Sequence, residues 1–211
     1  MISLADITNR VRTKHEAATS VRWSDAAIHK RINEGLECLA ESTYFYERYT
    51  TIALMPNRTW YDVRGFTPET VLRITAVWSE NRQEWLTPTS QDLLPYDWEQ
   101  ATGEPQEYFT RGIYWLGFWP HPGTSISSNL KVTFAGIPSR FTHPQAVLRD
   151  LPDNYVPALE DYALSEMALT DKEYTRSIRL FKSYLAREKA FRDLSTRRLV
   201  GAEAGSLMGA L

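Results

Sequence analysis

Leu151-Pro152-Asp153-Asn154-Tyr155-Val156-Pro157-Ala158-Leu159 is the stretch on which the reading of the fold turns. Pro152 and Asp153 open a helix. Pro157 falls in its first turn, where a missing N–H forfeits no intrahelical bond. The stretch follows a linker over 136–150 punctuated by Gly136, Pro138 and Pro144. It therefore divides a strand-rich middle from a closing pair of helices. The first of these runs to about Leu169. The second, capped by Asp171, runs to about Leu199, with an apolar line of Tyr174, Ile178, Phe181 and Leu185 that extends to Leu194. From Gly201 the chain is small and apolar (Ala202, Ala204, Leu207, Met208, Leu211), with no reason in its composition to fold alone.

A matching helical pair opens the chain. Ser3 caps a helix to about Lys14, with Leu4, Ile7 and Val11 at helical spacing. After a polar connection over 15–22, Ser24 or Asp25 caps a second helix to about Ser42. Its inner face is Ile28, Ile32, Leu36 and Leu39, with Asn33 and Glu34 turned away. Trp23, just before the cap, suits a hydrophobic staple. Gly35 inside the pattern costs roughly 1 kcal/mol against Ala and is either a close helix crossing or incidental.

From Tyr44 the composition turns aromatic and β-branched. Thr50–Leu54 reads as a strand, and Pro56-Asn57-Arg58 as the turn of a hairpin to Trp60–Val63. Val71–Trp78 alternates cleanly, with Glu84-Trp85-Leu86 as its partner. Ser90 caps a short helical turn toward Tyr96, and 97–106 is a polar loop. Tyr108-Phe109, Ile113–Trp119 and Leu130–Ala135 are further strands. The expected architecture is α+β: a four-helix bundle built from residues 1–43 and 145–200, an antiparallel β domain inserted at 44–144, and an extended tail at 201–211.

The bulk properties exclude more than they identify. The 211 residues are 43% hydrophobic and 24% charged, an ordinary globular composition long enough to bury a core without disulfides or metals. A formal net charge of −2 makes no global case for nucleic acid or an anionic membrane. The single cysteine, Cys38, sits in a helical pattern and reads as a small buried hydrophobe, in keeping with synthesis in a reducing compartment. The start of the chain lacks the pattern of a signal peptide, and no apolar run reaches the roughly 20 residues of a membrane span.

No catalytic, cofactor or metal site is expected. His15, His29, His121 and His143 are scattered without paired spacing or a nearby cysteine ligand. No nucleophile elbow or glycine-rich phosphate loop is present, and Cys38 has no basic neighbour. Asp92, Asp97 and Glu99 could supply paired carboxylates of the glycosidase type, but in a polar loop they read as solvated surface. Six of the seven tryptophans lie between Trp60 and Trp119. They suit a β core held by large side chains, an aromatic-rich protein interface, or a sugar-stacking platform.

The two closing helices differ in charge. Between Leu151 and Thr170 the charged residues are Asp153, Glu160, Asp161 and Glu166; from Lys172 to Arg198 bases predominate, among them Arg176, Arg179, Lys182 and Arg187. An antiparallel hairpin would bring opposite charges together, within one chain or between neighbouring subunits. The basic stripe could also touch phosphates, a weaker reading given the balance on the partner helix.

Arg12 with Arg22-Trp23-Ser24-Asp25-Ala26-Ala27-Ile28 and Ile32-Asn33-Glu34-Gly35 resembles the opening of the tailed-bacteriophage adaptor proteins, also called head-to-tail connectors. Val71-Leu72-Arg73-Ile74, Tyr96-Asp97-Trp98 with Gly103-Glu104-Pro105-Gln106-Glu107-Tyr108, Trp119-Pro120-His121-Pro122, and Leu151-Pro152-Asp153 with Tyr155, Ala158-Leu159 and Asp161-Tyr162 are similar to that family's later segments, in the same order. The third helix departs from it at Ser165-Glu166-Met167-Ala168 and Thr170-Asp171-Lys172. The resemblance implies a structural virion protein and no enzyme. Such a protein is made in the host cytoplasm and sits in the neck between capsid and tail. It forms a ring, usually of twelve copies, between the portal protein and the tail or nozzle proteins, through which DNA passes unread during ejection. It further implies portal docking by the tail, through Leu207, Met208 and Leu211, and inter-subunit roles for Glu160, Asp161, Glu166, Arg176, Arg179, Lys182 and Arg187. The competing reading is a carbohydrate-binding or glycan-processing module on the aromatic β region.

Overall fold

The computed structural model describes residues 2–15, 23–124, 128–147 and 149–208, with 196–208 as backbone only. The chain is mixed α+β and divides into two compact units. Met1–Tyr46 and Pro138–Leu211 form a helical unit, and Glu47–Ile137 form a β unit. The linker after Pro138 goes with the helices for a local reason. Asn33 accepts from the Phe141 N–H at 2.7 Å and donates to its carbonyl at 3.0 Å, so it holds the returning chain. Arg140 lies 2.6 Å from Glu37, and the N–H groups of Leu4 and Ala5 donate to the carbonyls of Ala146 and Pro144. The first turn of a helix has N–H groups without intrahelical partners, and here the linker supplies them. Asn33, expected on an outer face, is therefore buried and structural; its amide carries the backbone pairing that an apolar residue could not.

The helical unit contains α1 (Leu4–His15), α2 (Asp25–Thr43), α3 (Val156–Thr170) and α4 (Tyr174–Met208). Ser3 and Asp6 close α1 reciprocally: the Asp6 N–H donates to Ser3 Oγ and the Ser3 N–H to Asp6 Oδ2. Ser24 caps α2 by accepting from the Ala27 N–H. Tyr44 ends α2 in the left-handed region at φ 54°. Leu4, Ile7 and Val11 of α1 share one buried core with Ile28, Ile32, Leu36 and Leu39 of α2, as their spacing predicts. Trp23 lies in the same core, and its indole donates to Asp171 at 3.0 Å.

Helix α3 is the central element. A short 3-10 turn at Asp153–Tyr155 leads into it, Pro157 sits in its first turn, and it packs on α1, α2 and α4. It is buried almost all round, the pattern of a core helix. Gly35 of α2 lies against Tyr162 of α3, so the glycine does mark a close crossing. Asp171, expected to cap α4, closes α3 instead. Lys172 then turns the chain in the left-handed region at φ 65°, and α4 starts at Tyr174. Helix α4 continues to Met208, beyond the end at Leu199 that composition suggests.

The β unit contains β1 (Glu47–Ala53), β2 (Trp60–Asp62), β3 (Thr70–Ser79), β4 (Glu84–Trp85), β5 (Thr87–Pro88), β6 (Thr102–Gly103), β7 (Glu107–Arg111), β8 (Trp115–Trp119), β9 (His121–Pro122) and β10 (Asn129–Ile137). Among the described residues they form the sheets β1-β10-β3-β4 and β2-β8-β7-β5 and the pair β6-β9. Most pairings are antiparallel; β5 on β7 and β6 on β9 are parallel. Ile52, Val71, Val77, Val132 and Phe134 of the first sheet share a core with Tyr61, Tyr108, Leu116 and Phe118 of the second.

The expected hairpin from Thr50–Leu54 to Trp60–Val63 does not form. Asn57 makes its turn at φ 58°, but β1 pairs with β10 and β2 with β8, in different sheets. The connection is too long to impose a two-residue hairpin register, and the Tyr61 hydroxyl instead accepts from the Met55 N–H at 2.8 Å. In β3 the simple alternation also breaks. Leu72 and Thr75 have no opposite residue on β10, so burial falls on Val71, Ile74 and Val77. Each bulge moves the inward phase by one residue. Trp85 does face Trp78 across β4 and β3, as expected.

Candidate interaction surfaces

The acids of α3 are answered within the chain, but mostly by α1 and α2; among the described residues α4 meets them with an ion pair at Asp161–Arg187. Glu160 is 1% exposed, with its carboxylate 2.6 Å from Lys14 and 3.4 Å from Arg10. Asp161 accepts from Ser183 at 2.7 Å and from Arg187 at 2.9 Å. Glu166 lies 3.6 Å from Arg31, and Arg176 donates to Glu173 and to the Lys14 carbonyl, both at 3.0 Å. Stripping a buried carboxylate such as Glu160 of its cations would leave an uncompensated charge, a loss of about 3–5 kcal/mol. Arg179 and Lys182 differ from the other residues of this set. Both are exposed, and neither has an ion pair or hydrogen bond among the described residues. Of the residues expected between subunits, these two have charges that no described residue answers.

The apolar line of α4 faces outward. Tyr174, Ile178, Phe181 and Leu185 are 59%, 57%, 41% and 44% exposed. The inward line is Ser177, Leu180, Tyr184, Glu188 and Phe191, with Leu194 partly buried behind it. The reading of Tyr174–Leu185 as the core stripe is thus corrected. The face of α4 toward α3 must answer Asp161, and Ser183 and Arg187 do so. Tyr184 packs edge-on to Tyr162 at 5.2 Å, and Phe191 stacks on Tyr155 at 4.2 Å. Periodicity found the most apolar line, whereas packing chose the line that also satisfies the buried acid.

In the β unit the tryptophans divide between packing and surface. Trp60 and Trp98 pack edge-on to Phe109 at 5.1 and 5.3 Å. Trp85 and Trp115 are exposed, with Trp85 against Trp78 at 5.1 Å. The segment after β5 forms 3-10 turns at Gln91–Leu93 and Trp98–Gln100, where Ser90 makes no side-chain cap. It presents Leu93 largely and Tyr96 fully to solvent beside exposed Asp92, Asp97 and Glu99. These three carboxylates are solvated, as their loop position predicts.

Among the described residues no constellation suited to catalysis stands out. His15 packs on Trp23 and lies 3.4 Å from Asp171, while His121 is buried in β9. Among the described residues no three His, Cys, Asp or Glu side chains cluster as metal ligands, and no helix is long and apolar enough to cross a membrane. Cys38 is half-buried, 3.8 Å from the Tyr162 hydroxyl, and burial pushes its thiol up and away from the reactive thiolate. Of the tail residues, Leu207 and Met208 belong to the backbone of α4, and Leu211 lies outside the described residues.

Sequence could not have shown that the Tyr174–Leu185 line is exposed, because an outward and an inward stripe have the same period. Leu93 and Tyr96 carried a usable signal: large apolar residues among acids in a loop. The family model described as SU10 adaptor protein matches residues 2–206, nearly the whole chain. Among curated proteins none matches.

Proposed function

Because the chain belongs to the SU10 adaptor protein family, a phage head–tail adaptor family, we propose that it forms a ring between the portal and the tail and extends the channel for DNA. Membership makes it a structural phage component that works with other head and tail proteins. The finer reading is a four-helix bundle whose copies meet laterally in a ring of about twelve, the number taken from the resemblance, with the inserted β unit available to tail or nozzle proteins. DNA passes without sequence reading, and no chemistry is performed.

The observation that carries the ring is the outward line of α4. Four large apolar side chains of one helix stand outside the helical core, 41–59% exposed. Contiguous apolar surface of this kind is characteristic of an interaction face. In a ring one patch meets a different patch on the next copy, which suits a face with unpaired bases. The end of α4, with Leu207 and Met208, and the following Leu211 would dock on the portal.

The test is the mass of the purified protein alone and mixed with the cognate portal, by native mass spectrometry. The expected result is a small species alone that joins the portal in many copies, with docking weakened by deletion of residues 201–211. Absence of association between folded partners overturns the adaptor reading and turns attention to the exposed Trp85 and Trp115 and a glycan screen. Unchanged docking by the truncated chain removes the role of the tail.

A further inference from the structure

The outward line of α4 has a definite chemical character. Tyr174, Ile178, Phe181 and Leu185 follow one another at steps of four, three and four residues, a continuous stripe along the helix. Lys182 and Lys189 are exposed beside it, with exposed Arg179 one row further round next to Lys182, and none of the three has an ion pair among the described residues. The acids of the same stretch are spent elsewhere: Glu173 pairs with Arg176, and Glu188 is buried and pairs with Arg192. A partner for this face must bring large apolar groups flanked by carboxylates.

The chain carries one segment of that description. From Gln83 to Thr110 it contains Glu84, Asp92, Asp97, Glu99, Glu104 and Glu107 and no lysine or arginine. At its centre Leu93 is 78% exposed and the Tyr96 side chain stands fully in solvent. Asp92, Asp97 and Glu99, all exposed, form no ion pair among the described residues. The Asp92–Glu99 stretch thus offers two large exposed apolar groups and three unpaired acids, the chemical complement of an apolar stripe with unpaired bases near it.

We propose that α4 of one molecule receives the Asp92–Glu99 segment of a second copy, with Leu93 and Tyr96 on the Ile178–Phe181–Leu185 stripe and the acids toward Arg179, Lys182 and Lys189. The two patches differ, so the contact is head-to-tail: one copy keeps its segment free, the other its α4 face, and the pair can be extended or closed into a ring. Burial of Leu93, Tyr96 and Phe181 supplies affinity; the charges set orientation and exclude the self-pairing of two basic α4 faces. This deepens the ring reading by naming the surfaces.

The experiment uses full-length chains in a Cys38→Ser background, one carrying Tyr96→Cys and the other Phe181→Cys. They are oxidised separately and mixed, alone and in the presence of portal, with mass recorded in parallel. The expected result is a disulfide-linked heterodimer in the mixture and no comparable product from either chain alone. Arg179→Glu with Lys182→Glu should reduce the yield at least tenfold, and Asp92→Lys with Asp97→Lys in the other chain should restore it. A ring of the right mass without the Tyr96–Phe181 link, or dominated by Phe181–Phe181 links, overturns this contact and leaves the adaptor reading intact. The link without portal association supports the contact and removes the adaptor role. Neither link nor assembly overturns both.

Discussion

A Cβ placed on Gly35 would lie 2.9 Å from Cδ1, 3.0 Å from Cγ and 3.1 Å from Cβ of Tyr162. These are the root of the ring, which cannot swing aside like the end of a flexible chain. The ring is further fixed by Tyr184 at 5.2 Å and by Cys38 near its hydroxyl. Gly35→Ala gains about 1 kcal/mol of helix propensity. Against that stands overpacking of about 1–3 kcal/mol. The expected outcome in urea denaturation is a net loss of stability; a gain of the full propensity increment would show that the crossing yields and that the glycine is incidental.

Asn33 supports a prediction about the linker alone. Asn33→Ala removes its bonds to both backbone groups of Phe141, leaving a pair of polar groups that water must reach. The expected loss is about 1–3 kcal/mol. The local signature is more telling: the Phe141 amide, which the bond to Asn33 should shield from hydrogen exchange in the native chain, should exchange rapidly in the variant, and trypsin should cut sooner after Arg140. Unchanged protection would mean that the Arg140–Glu37 pair and the α1 start hold the linker unaided.

His29 lies on α2 between Asp25 and Asn33. Desolvation holds its pKa below the usual 6.5; Asp25 opposes this and Arg12 adds to it. A histidine with a depressed folded pKa favours the neutral form in the native state. Its contribution is present above the unfolded value of about 6.5 and is lost as pH falls through the folded one. His29→Gln, which keeps the backbone carbonyl that accepts from Asn33, should therefore lose less stability than the native chain on acidification below pH 6.5. Parallel stability curves for the two proteins from pH 7 to pH 5 would refute the assignment.

What the sequence made legible, and what it did not, follows from the kind of information each residue carries. The helices and the starts marked by Ser3, Ser24 and Pro157 were readable because these residues act locally, whereas the caps expected at Asp171 and Ser90 did not form; the cores of α1 and α2 were readable because Leu4, Ile7, Ile28 and Ile32 obey a period. Strand pairing was not, since sheet partners are chosen by distant residues. The turn at Asn57 looks the same whether Trp60 joins β1 or β8. The bulges at Leu72 and Thr75 are set by β10 and leave no mark on β3 itself. Asn33 was misplaced because its partner, Phe141, lies far along the chain. The family was legible from motif order, but the candidate surface was not, because exposure is a property of the packed state.

That last point is testable on α4 directly. Tyr184 and Phe191 face the core, whereas Ile178 and Phe181 face solvent. Phe191→Ala removes the stack on Tyr155 and the packing on Phe45, and Tyr184→Ala the packing on Tyr162; each should cost about 3–5 kcal/mol. Ile178→Gln and Phe181→Gln, on the same helix and more apolar in pattern, should change monomer stability by no more than about 0.5 kcal/mol. Urea melts of the four variants at low concentration, where any association is absent, decide the matter. The opposite ranking would mean that α4 is rotated about its axis, with the Tyr174–Leu185 line in the core after all; the stripe could then receive no partner.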